Sequence, residues 1–384
     1  MKKNYSLICL FFIVTHLTFS QSVVNIPDSN FKNYLLEHSS INTNNDSEIQ
    51  ISEAQSFTGK IDIKGSGKLE SQKVKDLTGL EAFTTLTAID CSFNGLTQID
   101  VSKNIELIDL HCHNNELSSI DVTKNINLEE LECFNNKITS LDVTKNVELV
   151  KLWCTNNLLT NIDVTQNTRL RLFEIEENQF TSLDVTKNIQ LTTLVISRNN
   201  FTSIDISNNT QLLTFYARAN DLKSIDISKN FKLDDIVLVG NDLSFLDMSK
   251  HSNTTRLLAY ANANLTCVKV EDESVTPPTC SSTKRNGWCL DDNVIYSETC
   301  STTNINNNEF SKGITLFPNP VNDILQISIQ SKEKIKIIEI YNSLGKMILK
   351  TNKDNINTSK LSKGVYWLRI ESISNKIAIR SILK

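Results

Sequence analysis

The sequence predicts a β-rich solenoid followed by a small all-β sandwich, and three observations carry that prediction. The chain aligns with itself at a 21-residue shift over roughly residues 80 to 265, a period in the range of stacked-coil architectures. Apolar residues recur in fixed columns of that repeat. From residue 313 onward the pattern changes to short apolar runs separated by turn residues. The 384 residues suffice for two or more domains, and 39% hydrophobic with 22% charged residues is ordinary for a folded protein. A formal net charge of -5 without a Lys/Arg run argues against a nucleic-acid partner.

The chain opens with Lys2 and Lys3, continues through an apolar stretch from Leu7 to Phe19, and reaches Thr18, Ser20 and Gln21. This is the layout of a signal peptide over residues 1–20. The stretch is shorter than the about 20 residues a membrane-spanning helix needs, and no later segment is long and apolar enough. Cys9 lies inside the apolar run, so no cysteine stands at the cleavage point to carry a lipid. The mature chain is expected to start near Gln21, outside the cytoplasm.

Residues 21–79 depart from the repeat and are expected to cap its open end. Phe31 to Glu37 reads as a short helix, a polar loop follows, and Ser52 can cap a second helix. The loop Asn42 to Glu53 resembles an EF-hand. On that resemblance Asn42, Asn44 and Asp46 fill the first ligand positions, Glu48 offers its carbonyl, and Glu53 is the bidentate acid for calcium. Asn replaces the usual Asp at the first position and Ser47 replaces the turn glycine, which leaves a metal-free polar cap as the alternative.

In the repeats, residues 80–266, one Asn column runs from Asn94 through Asn115, Asn136 and Asn157 to Asn262. An Asp column runs from Asp100 to Asp247. Leu107, Leu110, Cys112, Leu117, Ile120 and Val122 become Leu128, Leu131, Cys133, Ile138, Leu141 and Val143 one period later. Leu107 to Leu117 resembles the leucine-rich-repeat motif L-x-x-L-x-L-x-x-N-x-L, with Cys112 in place of the third leucine. Strand alternation then points Leu110 and Cys112 inward and His111 and His113 outward. Coils stacked at about 4.8 Å bury each inward column against its neighbours, and the Asn amides satisfy backbone groups where the chain leaves the strand. Stacked carboxylates would repel. Either calcium relieves that, or each Asp accepts backbone N–H groups two or three residues on while nearby lysines dilute the charge; the turn is preferred.

Of nine cysteines, Cys91, Cys112, Cys133 and Cys154 share the inward column, where later coils place Ile175, Ile196, Ala217, Leu238 and Ala259. They are expected to act as small buried hydrophobes. Cys267, Cys280, Cys289 and Cys300 follow in a loop-rich stretch, residues 267–300, which reads as a disulfide-stapled cap. Cys280 with Cys289, around an Arg285-Asn286-Gly287 turn, and Cys267 with Cys300 is the simplest of three connectivities.

A polar linker, residues 301–312, leads to residues 313–384, whose apolar runs predict an immunoglobulin-like β-sandwich. Phe317-Pro-Asn-Pro320, a hairpin at Asn342 to Lys346, Lys363-Gly-Val-Tyr366 and the basic finish Arg380 and Lys384 resemble the type A C-terminal sorting domain of the type IX secretion system. The resemblance implies export by that machinery, a partner reached through residues 313–384.

No nucleophile–base set, phosphate loop or clustered metal-ligand spacing is evident, so no catalytic residue or enzyme activity is expected. His111 and His113 could join a metal or catalytic site only with ligands from neighbouring coils, and solvated surface residues are the preferred reading. The expected ligand-binding face is the concave side of the sheet. His111, His113, Phe134, Trp153, Tyr216, Arg218 and Tyr260 stand in its outward columns, and several are types enriched at binding hot spots. The expected function is a secreted or cell-surface module that recognises a protein or glycan. A structural or adhesive surface protein without a dedicated ligand is the alternative.

Overall fold

The computed structural model describes residues 22–273, 280, 287–300, 313–329, 334–342, 346–373 and 377–384. The expected signal peptide, the linker 301–312, Arg285, Asn286 and the centre of the Asn342 to Lys346 hairpin lie outside them. The described residues form two compact units, divided between Glu298 and Thr299.

The first unit is an in-register stack of coils around one eleven-stranded parallel sheet. Strands Ala88–Asp90, Asp109–His111, Glu130–Glu132 and Lys151–Trp153 pair residue i with residue i+21, and the same register continues to Arg256–Leu258. Lys60–Asp62 adds one edge and Gly287–Cys289 the other. The periodicity therefore becomes structure directly, each coil laying its three strand residues on those of the next. Leu107, Leu110, Cys112, Leu117 and Val122 are fully buried, as are their counterparts along the stack, in one continuous apolar core. Cys91, Cys112, Cys133 and Cys154 are free and fully buried in that core. Burial pushes the Cys133 thiol up to about 12, so it stays protonated and behaves as a hydrophobe.

Polar ladders fix the turns. The amide nitrogen of Asn115 donates to the carbonyls of Cys91 and Cys112 at 3.1 and 2.9 Å, and its oxygen accepts from Leu96 N–H at 2.9 Å. A second ladder, which the sequence reading did not single out, runs from Asn104 to Asn230. Asn125 Nδ2 donates to the carbonyls of Val101 and Asn104 at 3.0 and 2.8 Å. His251 takes the next rung, its Nε2 lying 3.1 Å from Ile227 O. Asp121 accepts from both the N–H and the hydroxyl of Thr123, at 2.9 and 2.7 Å, and the column repeats this turn coil after coil.

Between strand and Asn ladder the chain passes through the left-handed region once per coil: Phe93, Asn114, Asn135, Asn156, Glu177, Arg198, Ala219 and Ala261 have φ between 52° and 62°, and Gly240 has 69°. Asn and Gly tolerate this conformation, whereas other residues meet a steric cost of about 1–2 kcal/mol.

The N-terminal cap holds helices Ser29–Glu37 and Ile51–Ser56. Asp28 caps the first by accepting from Asn30 and Phe31 N–H. The second is capped by Gln50, with the Glu53 side chain accepting from Gln50 N–H at 3.0 Å, so Ser52 lies inside the helix and is not its cap. At the other end Cys267–Lys269 and Ile295–Ser297 join Leu246–Asp247 in a second parallel sheet. Cys280 and Cys289 are bonded, and Cys267 and Cys300 are disulfide-bonded too.

The second unit packs a three-stranded antiparallel sheet, Ile314–Phe317, Ile324–Ile329 and Asn355–Asn357, with a four-stranded one, Met347–Thr351, Ile335–Tyr341, Val365–Ser372 and Ile377–Leu383. Leu325, Ile338, Ile340, Ile356, Leu368 and Ile370 lie between them. The expected sandwich is present. Asn355–Asn357 was not anticipated, because a single apolar residue, Ile356, flanked by Asn gives no alternation to read.

Candidate binding face

Strand alternation sends three residues per coil to the outer face of the eleven-stranded sheet, at the positions of Asp109, His111 and His113. The sequence reading took the second and third of these columns. The first, which includes Glu130, Lys151, Asp235 and Arg256, is a further consequence of the same period of two.

Four rings from consecutive coils make one row. Phe93 meets His113 edge-on at 5.3 Å, His113 stacks on Phe134 at 4.1 Å with 9° between planes, and Phe134 stacks on Trp153 at 4.1 Å and 27°. Each such pair contributes about 0.5–1.5 kcal/mol beyond area burial. Trp153 is held further by its Nε1–H donating to Thr155 Oγ1 at 3.0 Å and by Lys151 Nζ, 5.7 Å from its ring centroid. His113, expected to be solvated, is only 7% exposed. The flanking rings cover it, and that burial pushes its pKa down against the opposing pull of Glu132 and Asp90, which keeps the imidazole neutral near pH 7.

Beside the rings lies a polar group. His111 Nε2 is 3.8 Å from Glu130 Oε2, His113 Nε2 is 3.7 Å from Glu132 Oε2, and Lys151 bonds Glu132 and reaches Glu130 at 3.8 Å. Each histidine thus faces a carboxylate of the neighbouring coil, beyond hydrogen-bond distance. One coil further, burial raises the pKa of Glu174, reinforced by Glu176.

Tyr216 belongs to a second cluster. Its hydroxyl donates to Asp235 at 2.5 Å, and Arg256 donates to the same carboxylate at 2.7 and 2.9 Å while lying 5.6 Å from the Tyr216 ring centroid. Val237, Val239, Leu258 and Cys289 pack next to it, with Tyr216 and Tyr260 half-buried against them. Arg218 is exposed between the clusters, within electrostatic reach of Glu176. Six of the seven residues expected on this face therefore fall into two groups, His111, His113, Phe134 and Trp153 in one and Tyr216 with Tyr260 in the other, and Arg218 belongs to neither.

The 42–53 loop is closed by its own hydrogen bonds. Glu53 is 6% exposed and accepts from Thr43 N–H, Thr43 Oγ1, Asn44 N–H and Gln50 N–H at 2.8 to 3.2 Å. Asp46 accepts from Glu48 N–H, Asn44 and Gln50, and Glu48 pairs with Lys32 at 2.7 Å. Asn42 Nδ2 donates to Leu36 and Asp46 carbonyls, while its Oδ1 has no hydrogen-bond partner among the described residues. The left-handed residue is Asn45, not Ser47.

The chain is similar to the functional domain of InlJ from Listeria monocytogenes, which includes a cysteine ladder, at 20% identity over 95% of this chain and all of that one, with a TM-score of 0.49. An internalin, inlF, from the same organism is 17% identical over 74% of this chain and 99% of its own, TM-score 0.41. A leucine-rich-repeat protein of Leptospira interrogans is 21% identical over 55% of each chain, TM-score 0.47. No curated protein matches the chain. Among the described residues no helix is long and apolar enough to cross a membrane. Residues 315–384 match the secretion system C-terminal sorting domain; the chain is a solenoid of 21-residue coils on one parallel sheet that carries this domain at residues 315–384, and the domain marks it for type IX export to the cell surface or the medium.

Proposed function

We propose that the solenoid is a non-enzymatic recognition module, binding a protein or glycan through the outer face of its parallel sheet once the sorting domain has directed export. One observation carries this reading: Phe93, His113, Phe134 and Trp153 form a continuous row of rings on adjacent coils. The rings are half-buried or buried, and their backbone is held by the inter-coil ladder, so little conformational entropy remains to be lost on binding. Aromatic surfaces of this kind supply hot spots for proteins and flat contacts for sugar rings. The Glu130, Glu132 and Lys151 group at its border adds polar contacts that orient a partner.

Glycan and protein arrays probed with the mature chain, and in parallel with Trp153→Ala and Tyr216→Ala, test the proposal. A specific ligand lost on Trp153→Ala supports it and locates the ring row as the site. Tyr216→Ala reports whether the second cluster takes part. Ligands that bind both variants as they bind the native chain would remove the face from consideration.

A further inference from the structure

Two coils bring three ligand atoms to one point on the outer face. One imidazole nitrogen of His111 and one carboxylate oxygen each from Glu130 and Glu132 lie within 4.8 Å of one another. Neither coil alone supplies this set. His111 Nε2 is sealed from solvent and has no hydrogen-bond partner among the described residues, its nearest charged neighbour being Glu130 Oε2 at 3.8 Å. Glu132 is buried, and the Lys151 ammonium lies against both acids.

The geometry points to a divalent transition-metal site of the zinc class, ligated by His111 Nε2 and the carboxylates of Glu130 and Glu132. A tetrahedral ion with ligands at about 2.0–2.1 Å keeps its ligand atoms about 3.4 Å apart; His111 and Glu130 stand at 3.8 Å and all three ligand atoms within 4.8 Å, so the side chains draw together when the ion binds. Imidazole with carboxylate and no thiolate suits zinc, cobalt or nickel, whereas an imidazole ligand disfavours calcium. Lys151 serves as the counter-charge while no metal is bound and swings aside when one enters. Three protein ligands leave a fourth position for water or for an oxygen of a bound partner, as in open zinc sites. His113, clamped between rings 3.7 Å from Glu132, walls one side of that carboxylate. The inference does not depend on the recognition proposal, since the metal alone is the ligand.

The test uses untagged mature protein titrated with zinc chloride by calorimetry and with cobalt chloride by visible absorption. One ion per chain is expected, with a rise in melting temperature. His111→Ala and Glu132→Gln should each weaken binding by about a hundredfold or more, the upper range seen for removing even an outer-sphere support. Lys151→Met should tighten binding, an outcome that a misfolded variant cannot produce. No bound ion in the native chain, an affinity unchanged in His111→Ala, or binding lost in Glu53→Gln instead would each overturn the assignment.

Discussion

Replacing Asn157 by Ala tests the ladder that holds the coils together, and its cost follows from the rung's partners. Asn157 Oδ1 accepts from Ile138 N–H at 3.0 Å, and Nδ2 donates to the carbonyls of Cys133 and Cys154, both at 3.1 Å. The carbonyls are held twice: Cys133 O also accepts from Asn136 at 3.0 Å, and Cys154 O from Asn178 at 3.0 Å. Ile138 N–H has no such second partner on the ladder. Truncation therefore strands one buried donor, at about 1–3 kcal/mol, and weakens two carbonyls by about 0.5 kcal/mol each, for a loss of about 2–4 kcal/mol. Urea unfolding of Asn157→Ala beside a surface control, Lys137→Ala, measures it, and the control should stay within about 0.5 kcal/mol of the native protein. Hydrogen exchange should locate the new opening at the Ile138 amide. An Asn157→Ala protein as stable as its control would refute the ladder argument.

Ala219→Gly should raise stability by about 0.5–1 kcal/mol, since relief of the left-handed penalty exceeds the added unfolded-state entropy; the urea midpoint reports it. Hydroxyl and N–H donors hold the carboxyls of Asp121, Asp142, Asp163 and Asp184 below the ordinary Asp range. Folding thus favours their ionised forms, and the unfolded chain takes up protons first as pH falls. The stabilisation is present above about pH 5 and fades as pH drops through the folded-state values below about 4, which urea midpoints across pH will show. Glu53→Gln should cost about 1–2 kcal/mol through the lost cap. Millimolar calcium should leave the melting temperature unchanged, because Glu53 would have to surrender its internal donors to become a ligand.

The solenoid is legible in the sequence because its physics is periodic: a position buried in one coil is buried in the next, so selection for volume and polarity writes the same residue types every 21 positions. The Asn115 column and the Leu110 and Cys112 columns could be read for that reason. The left-handed column could not, since Phe93, Glu177, Arg198 and Ala219 occupy it alongside Asn, and backbone strain absorbed by the surrounding stack leaves no uniform residue type. The polar half of the candidate site was hidden differently. Glu130, Glu132 and Lys151 matter through their spacing from His111 across coils, a relation that appears only once the register of 21 residues is combined with side-chain reach. Gln50 as a helix cap was masked by the more usual Ser52, and the burial of His113 follows from stacking with rings 20 and 21 residues away.

Hydroxyl-radical labelling of the mature protein with and without its array-identified ligand tests the central claim most directly, because it reports which face is covered without altering a residue. The account predicts that the ligand protects Phe134 and Trp153 while the exposed Ile126, Ile189 and Phe231, which lie off the sheet, label at unchanged rates. Protection of Ile126, Ile189 and Phe231 with Phe134 and Trp153 unaffected would contradict it.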